Sequence, residues 1–353
     1  MKQSDHLFSI MDLIDRPAFC VAQGDILRCN QAAQRFLLPE NTPVVPLMVT
    51  GQQEYEEFEE GCLHLTMTLA GNVQNVTVNK LDGMDLFTVE QDSAGEDLHA
   101  LALAAQTLRQ PLSAMTLAAE ALRQEETPET KAQLARIHKS MYQLSRLIEN
   151  MSDAYSYSLH GAAAMELQDM IMVVREIFDS MAVLLQKADI RLEYEIPAVS
   201  VYGQVDRRMV ERAIGNMLSN AVKYTPKGGV IRATLARKNN MLILTVADTG
   251  EGFDESLRSN LFSQFRRDPG IEDGRKGLGL GLHLIRNAAT AHGGTVLIHD
   301  SDSGSRITFT MAIRQGRDPI LRSGLANWVD PTARDWGFIE LADVLPESAF
   351  LSL

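Results

Sequence analysis

The chain has 353 residues, 45% of them apolar, and a formal net charge of −13. That length suits two or three domains with sizeable cores, and the acidic balance argues against a nucleic-acid partner, which needs a concentrated basic face. No run reaches the roughly 18 apolar residues of a membrane span, and the opening Met1-Lys-Gln-Ser-Asp-His lacks the apolar core of a signal peptide, so a cytoplasmic protein is expected.

Residues 1–92 read as a small α/β module. Ala18-Phe-Cys-Val-Ala is a strand, Gln23-Gly-Asp a turn and Ile26-Leu-Arg-Cys a second strand, after which Asn30 is placed to N-cap a helix. Strands are predicted at 62–69, 73–81 and 84–90, with Gly71-Asn72 and Asp82-Gly83 as turn signals. Strand, turn, strand and an Asn-led helix resembles a PAS sensor domain. A dimerisation module without a ligand fits the same pattern, and nothing in 1–92 marks a cofactor site. The three cysteines, Cys20, Cys29 and Cys62, suit buried small hydrophobes in a reducing compartment; a redox or metal role is the alternative.

Residues 95–160 read as two long helices. Leu98, Leu101, Ala105, Leu108, Leu112, Met115, Ala119 and Leu122 step by three and four, and so do Leu134, Ile137, Met141, Leu144, Ile148, Met151 and Tyr155. Thr127-Pro128 punctuates the join. One hairpin has too little interior to bury both stripes, so two copies are expected to form a four-helix bundle, a homodimer through 95–160. A plain coiled-coil spacer is the alternative.

Residues 161–315 carry helical patterns near 168–188, 205–222 and 280–291, and strand patterns near 190–195, 230–237, 241–247, 295–300 and 306–313. An α/β sandwich with its helices on one face of a mixed sheet fits, within a multidomain α+β chain. The tail, 316–353, holds Trp328, Trp336, Phe338 and Phe350. It is too apolar to stay free and is expected to pack on the body or on a partner.

Four blocks of the second half carry chemistry. The first is Asn216-Met-Leu-Ser-Asn220-Ala-Val-Lys223-Tyr224, with two amides on one helix face. An amide oxygen is a hard, neutral ligand suited to Mg²⁺, which keeps several waters and takes phosphate oxygens. The second, Asp248-Thr-Gly250-Glu-Gly252, ends an apolar strand with a carboxylate able to accept from an exocyclic amine, beside glycines that admit close backbone approach. The third is Leu261-Phe262-Ser-Gln-Phe265-Arg266-Arg267. The fourth, Gly277-Leu-Gly279-Leu-Gly281-Leu282, opens a helix and frees backbone amides for an anion. It does not match the dinucleotide fingerprint, and the P-loop pattern is missing from the chain.

In this order and spacing the blocks resemble the ATP-binding domain of sensor histidine kinases. The resemblance implies Mg-ATP, with Asn220 on the magnesium, Asn216 in support, Lys223 on the phosphates, Tyr224 beside the nucleoside and Asp248 selecting adenine. Residues 268–276 would form a lid, with Phe262 as its anchor and Arg266 and Arg267 as charge donors. Related gyrase-type ATPases carry a glutamate four residues before the metal-binding asparagine. Here that position is Asn216, which lacks the basicity to activate water, so the pocket is of kinase type.

The resemblance also exposes a gap. Histidine kinases show His, then Glu or Asp, then Leu-Arg-x-Pro-Leu. Leu108, Arg109, Pro111 and Leu112 match, but the histidine position is Gln106 and the acidic one Thr107. A neutral imidazole can form a phosphoramidate; an amide nitrogen, its lone pair delocalised, cannot. Four residues past the acceptor position stands Gln110, where kinases that also dephosphorylate a partner often carry Thr or Asn. His99 lies seven residues earlier, about 10 Å along the axis, without an adjacent acid. His138, on the second helix, reads as a surface residue. In this family the γ-phosphate passes to histidine and then to a response-regulator aspartate. Self-phosphorylation at the usual site should fail, leaving transfer to a histidine on a partner kinase or an ATP-dependent conformational switch. The alternatives are a catalytically silent ATP-binding module regulating a partner kinase or response regulator, and an orthodox kinase using His99.

Overall fold

Strands form where apolar or alternating runs end in turn residues, and long helices form where a capping side chain meets a 3-4 apolar stripe. The computed structural model describes residues 14, 16–81, 84–90, 103–109, 112–116, 127–160, 164–250, 280–301, 304–314 and 336–351, together with Phe8, Met11 and Ala119.

The first module opens with a hairpin of β1 (Ala18–Ala22) and β2 (Asp25–Cys29). Asn30 is the expected N-cap, accepting from the Ala33 N–H at 3.0 Å, but the helix it starts, Gln31–Phe36, is 3₁₀. The buried Asn30 amide also donates to the carbonyls of Ile14 and Arg16, at 3.0 and 2.7 Å, tying the preceding chain to the hairpin. A short helix, α1 (Gln52–Glu57), was not legible in the sequence. β3 (Cys62–Leu69), β4 (Asn72–Leu81) and β5 (Met84–Val89) complete the module around Phe19 stacked on Phe87 at 4.9 Å. The three cysteines form no disulfide, and Cys20 and Cys62 are buried, as expected of small hydrophobes.

The first stem helix is described at 103–109 and 112–116. The second, α2 (Pro128–His160), begins with proline at its first position, and the Thr127 hydroxyl accepts from the Thr130 N–H at 3.2 Å. Leu134, Met141, Ile148 and Met151 of the predicted stripes are buried, whereas Leu108, Met115, Ile137 and Leu144 stay exposed. His138 is buried, not on the surface.

β6 (Glu166–Asp169) leads into α3 (Met170–Lys187), capped by Asp169; then come β7 (Arg191–Glu195), β8 (Tyr202–Val205) and α4 (Arg207–Tyr224), capped by Asp206. β9 (Val230–Lys238), β10 (Met241–Ala247), α5 (Gly281–Ala291), β11 (Val296–Ser301) and β12 (Gly304–Ala312) follow. The sheet is mixed, β7 running parallel to β9 and the other pairs antiparallel. Phe178, Met181, Ile214 and Met217 of α3 and α4 share one core with Ile231, Leu242 and Leu244 of the sheet.

The tail packs on the body. α6 (Trp336–Leu341) and the 3₁₀ turn Glu347–Phe350 contact α2, α3 and α4, and Phe338, Leu341, Leu345 and Phe350 join the main core. Among the described residues no helix is long and apolar enough to cross a membrane.

The two modules share one sheet. β3 pairs antiparallel with β11, through His64↔Val296, Leu63↔Leu297 and Cys62↔Ile298, giving ten strands in the order β2-β1-β5-β4-β3-β11-β12-β10-β9-β7. Over this seam lies a buried polar cluster. His64 Nδ1 is 3.3 Å from Glu90 Oε1, Arg286 of α5 pairs with Glu90, and the Arg286 guanidinium donates to His283 Nδ1 at 2.7 Å. A guanidinium only donates, so His283 Nδ1 accepts from it and the His283 ring is neutral. Burial holds His64 well below the usual imidazole range and lowers His283 to about 4. Between that value and 6.5 the unfolded chain binds more protons than the folded one, so stability falls as pH drops through this window and is complete above it. The protection factors of amides in β3 and β11, corrected for the intrinsic exchange rate at each pH, are expected to fall between pH 6.5 and 4.5, at up to about 1.4 kcal/mol per pH unit for each histidine. A His283→Gln variant should show a shallower pH dependence at the seam.

Candidate nucleotide site

Asn216 and Asn220 share a face of α4, but their environments differ. Asn216 is 2% exposed, its amide donating to the Arg212 carbonyl at 2.8 Å and its Oδ1 accepting from Arg146 of α2 at 3.3 Å. A Cβ on Gly281 would meet that Oδ1 at 2.9 Å, so only glycine lets α5 start this close to α4. One turn on, Asn220 and Lys223 are half-buried and Tyr224 is exposed. The open wall of the site therefore carries Asn220, Lys223 and Tyr224, with Asn216 behind it.

Asp248 follows β10 and is 7% exposed. Its Oδ1 accepts from the Gly250 N–H at 2.9 Å and the Ser305 N–H at 3.3 Å, and its Oδ2 from the Ser305 hydroxyl. Ser305 was missed in the sequence. Its place comes from the β10–β12 register, in which Ala247 faces Arg306; Gly304-Ser305 opening a strand was the only available signal.

The third wall is the start of α5. Leu280 stands at its N-cap, and a leucine offers no acceptor to the first-turn amides. Together with the helix dipole, those N–H groups suit an anion. Among the described residues no cluster of three His, Cys, Asp or Glu side chains could cage a metal. A magnesium ion here would rest on an amide oxygen, waters and the oxygens of its own phosphate ligand; the half-buried Asn220 suits that donor set. Gly252, Phe262, Arg266, Arg267, Gly277, Gly279 and His99 lie outside the described residues, as do Gln110 and Pro111.

The glycine end of the site rests on the stem. Leu280 and Leu284 share a buried cluster with Ala105, Ile148, Met151 and Ala154. Next to Ala105, Gln106 and Thr107 are exposed. The Thr107 hydroxyl donates back to the Ala104 carbonyl at 2.8 Å.

Sequence reasoning also missed a buried ionic network behind the site. Arg212, 2% exposed, reaches Asp153 at 2.8 Å, Asn150 at 2.5 Å, Glu149 at 3.4 Å and Glu340 of the tail. Burial pulls the Arg212 guanidinium down, but Glu340, Asp153 and Glu149 outweigh it and hold the group above its ordinary value. Burial raises Glu149 against the pull of Arg212. Arg146 donates to Ser219 at 3.0 Å and to Asp343 at 2.8 Å. The legible signal was a cation four residues before Asn216, on its buried face.

Comparison with known proteins agrees with this geometry. The model of the histidine kinase-, DNA gyrase B- and HSP90-like ATPase family matches residues 205–315, and that of the His kinase A (phospho-acceptor) domain matches 99–156. Sensor histidine kinase TmoS of Ectopseudomonas mendocina is 33% identical over 144 residues, 40% of this chain and 14% of that protein. The adaptive-response sensory kinase SasA of Synechococcus sp. (strain JA-3-3Ab) is 30% identical over 224 residues, 61% of this chain and 55% of the relative. The chain thus spans about half the length of this SasA relative, and far less of TmoS. Full-length ShkA, solved in complex with AMPPNP, superposes with a TM-score of 0.51 at 21% identity, covering 63% of this chain and 47% of ShkA, a likeness of fold.

If Asp248 reads an adenine amine, Asp248→Asn replaces one acceptor oxygen by a donor. The ATP-over-GTP preference is then expected to fall by about 1.5–3 kcal/mol, the worth of a hydrogen bond to a charged group. Competition binding with both nucleotides checks this, and an unaltered preference removes Asp248 from adenine recognition.

Proposed function

Because the chain belongs to the sensor histidine kinase family, we propose that it binds Mg-ATP between α4, Asp248 and the start of α5, and acts in two-component signalling on a histidine other than its own position 106. The observation that carries this reading is the seating of Leu280 and Leu284 against the turn of the stem that holds Ala105, with Gln106 exposed beside it. The phosphate end of the pocket abuts the stem where an acceptor would stand, and the side chain there is an amide.

In this reading Asn220 holds the magnesium, which screens the triphosphate. Lys223 and the amides at the α5 N-terminus bind the phosphates, and Asp248, fixed by Gly250 and Ser305, takes the adenine. Asn216 acts from behind the wall through α4 packing. Phosphoryl transfer makes a P–N bond to a neutral imidazole on a partner kinase, breaks the bond between the β- and γ-phosphates, releases ADP and frees the imidazole proton. The phosphoryl group then passes to an aspartate of a response regulator. The exposed Leu108, Met115, Ile137 and Leu144 supply the surface for a homodimeric four-helix bundle. The module of residues 1–92, whose strand, turn, strand and Asn-led helix pattern resembles a PAS domain, provides the input.

A second reading, an ATP-binding module that transfers nothing, draws on the burial of Asn216 with both amide ends engaged. Labelled ATP separates the two. The purified chain, alone and with a catalytically dead partner kinase that keeps its histidine, is expected to place acid-labile label on the partner only. Tight ATP binding with no label anywhere leaves the silent module, and label on this chain that vanishes in His99→Ala restores an orthodox kinase. Asn220→Asp sets a carboxylate against the triphosphate and is expected to weaken ATP binding in magnesium by about tenfold or more. Unchanged affinity by calorimetry would remove Asn220 from the metal site.

A further inference from the structure

The tail is inserted between the ATP-binding domain and the stem, and it carries charge into that contact. Glu340 is fully buried and pairs with Arg212 of α4; its other oxygen lies 4.0 Å from Arg146 Nε of α2. Asp343 takes Arg146 at 2.8 Å, Lys139 of α2 donates to the Leu345 carbonyl at 2.8 Å, and Arg136 reaches Glu347 at 2.9 Å. Tyr142 of α2 meets the Phe338 and Phe350 rings at 5.8 and 5.7 Å, and Lys187 of α3 lies 5.1 Å from the Phe338 ring centre. The fit is close on both sides. A Cβ on Gly215 would meet Glu340 Cγ at 2.6 Å, so a glycine in mid-helix is what admits the carboxylate. One short segment thus ties α2 to α3 and α4 by four ion pairs and an aromatic cluster.

We propose that residues 336–350 form an intramolecular latch, with Glu340 as its pin, that holds the ATP-binding domain docked on its own stem. The docked domain keeps Leu280 and Leu284 on the Ala105 turn, facing Gln106. Resting on the functional reading above, the seated latch is a brake: it directs the γ-phosphate at a position that cannot accept it and withholds it from a partner histidine. Undocking requires the tail to leave, because Glu340 and Asp343 neutralise the two arginines only while α2 and α4 are together. A buried cation stripped of one carboxylate is strongly disfavoured, so tail and docking stand or fall together.

The contact of Leu280 and Leu284 with the stem is made without the tail, which makes it the place to test. In the full chain, Glu340→Gln removes the pin's charge at nearly constant volume, and Asp343→Asn weakens the same network at its rim, where a folding defect is not at stake. Hydrogen exchange should accelerate by about tenfold or more, as for opening of a weakened buried charge network, at α2 residues 136–153 and also at α5 residues 282–285. Exchange in β10 and β12 should stay unchanged, showing an intact domain. Acceleration confined to α2 residues that touch the tail, or none in either variant, overturns the latch. In the labelled-ATP assay both variants should label the partner several-fold faster than the parent; equal or slower labelling overturns the brake. Should no variant label any partner, the transfer reading falls, while the exchange result still decides the latch.

Discussion

Arg212 is a cation almost wholly removed from water, and the arrangement of stem, ATP-binding domain and tail depends on how it is satisfied. Desolvating a guanidinium costs far more than any one surface pair returns. It is tolerated here because Asp153 and Asn150 come from the stem, Glu340 from the tail, and Arg212 itself from α4. No one of these elements completes the network alone. The same helix carries Asn216 and Asn220 one and two turns later, so whatever fixes Arg212 also fixes the asparagine wall of the nucleotide site.

Around that anchor the site divides into a rigid back and an open front. Asn216, Gly281 and Arg146 form the back, where close approach leaves no room for a larger side chain. Asn220, Lys223 and Tyr224 form the front. Asp248 belongs to neither helix; strand register brings Ser305 to it and fixes its carboxylate as an acceptor. Position 106 then gives the chemistry its direction. In the proposed function the pocket rests against a stem turn whose exposed side chain is an amide, so a phosphoryl group leaving it finds its nucleophile elsewhere.

The continuous sheet adds a second tie between modules. β3 and β11 share backbone hydrogen bonds, and α5 sends His283 and Arg286 to the seam while its first turn faces the phosphate site. One helix therefore touches the first module, the stem and the nucleotide pocket. Movement of the first module would reach the start of α5 through that helix.

Most of the local structure was legible from the chain, because it is set by short-range physics. Apolar alternation placed β3 to β5 and β9 to β12 within a residue or two, and the helical patterns near 168–188 and 205–222 became α3 and α4. The absence of a nucleophile at Gln106 is a matter of covalent chemistry and needed no structure. What the sequence left undecided were contacts between distant segments, which no local pattern encodes. Ser305 meets Asp248 only through strand register, and Arg146 reaches Asn216 only because two domains dock. Glu340 is an unremarkable glutamate in a polar-apolar tail until folding buries it against two arginines, since burial of charge is decided by which partners tertiary structure brings within hydrogen-bond reach.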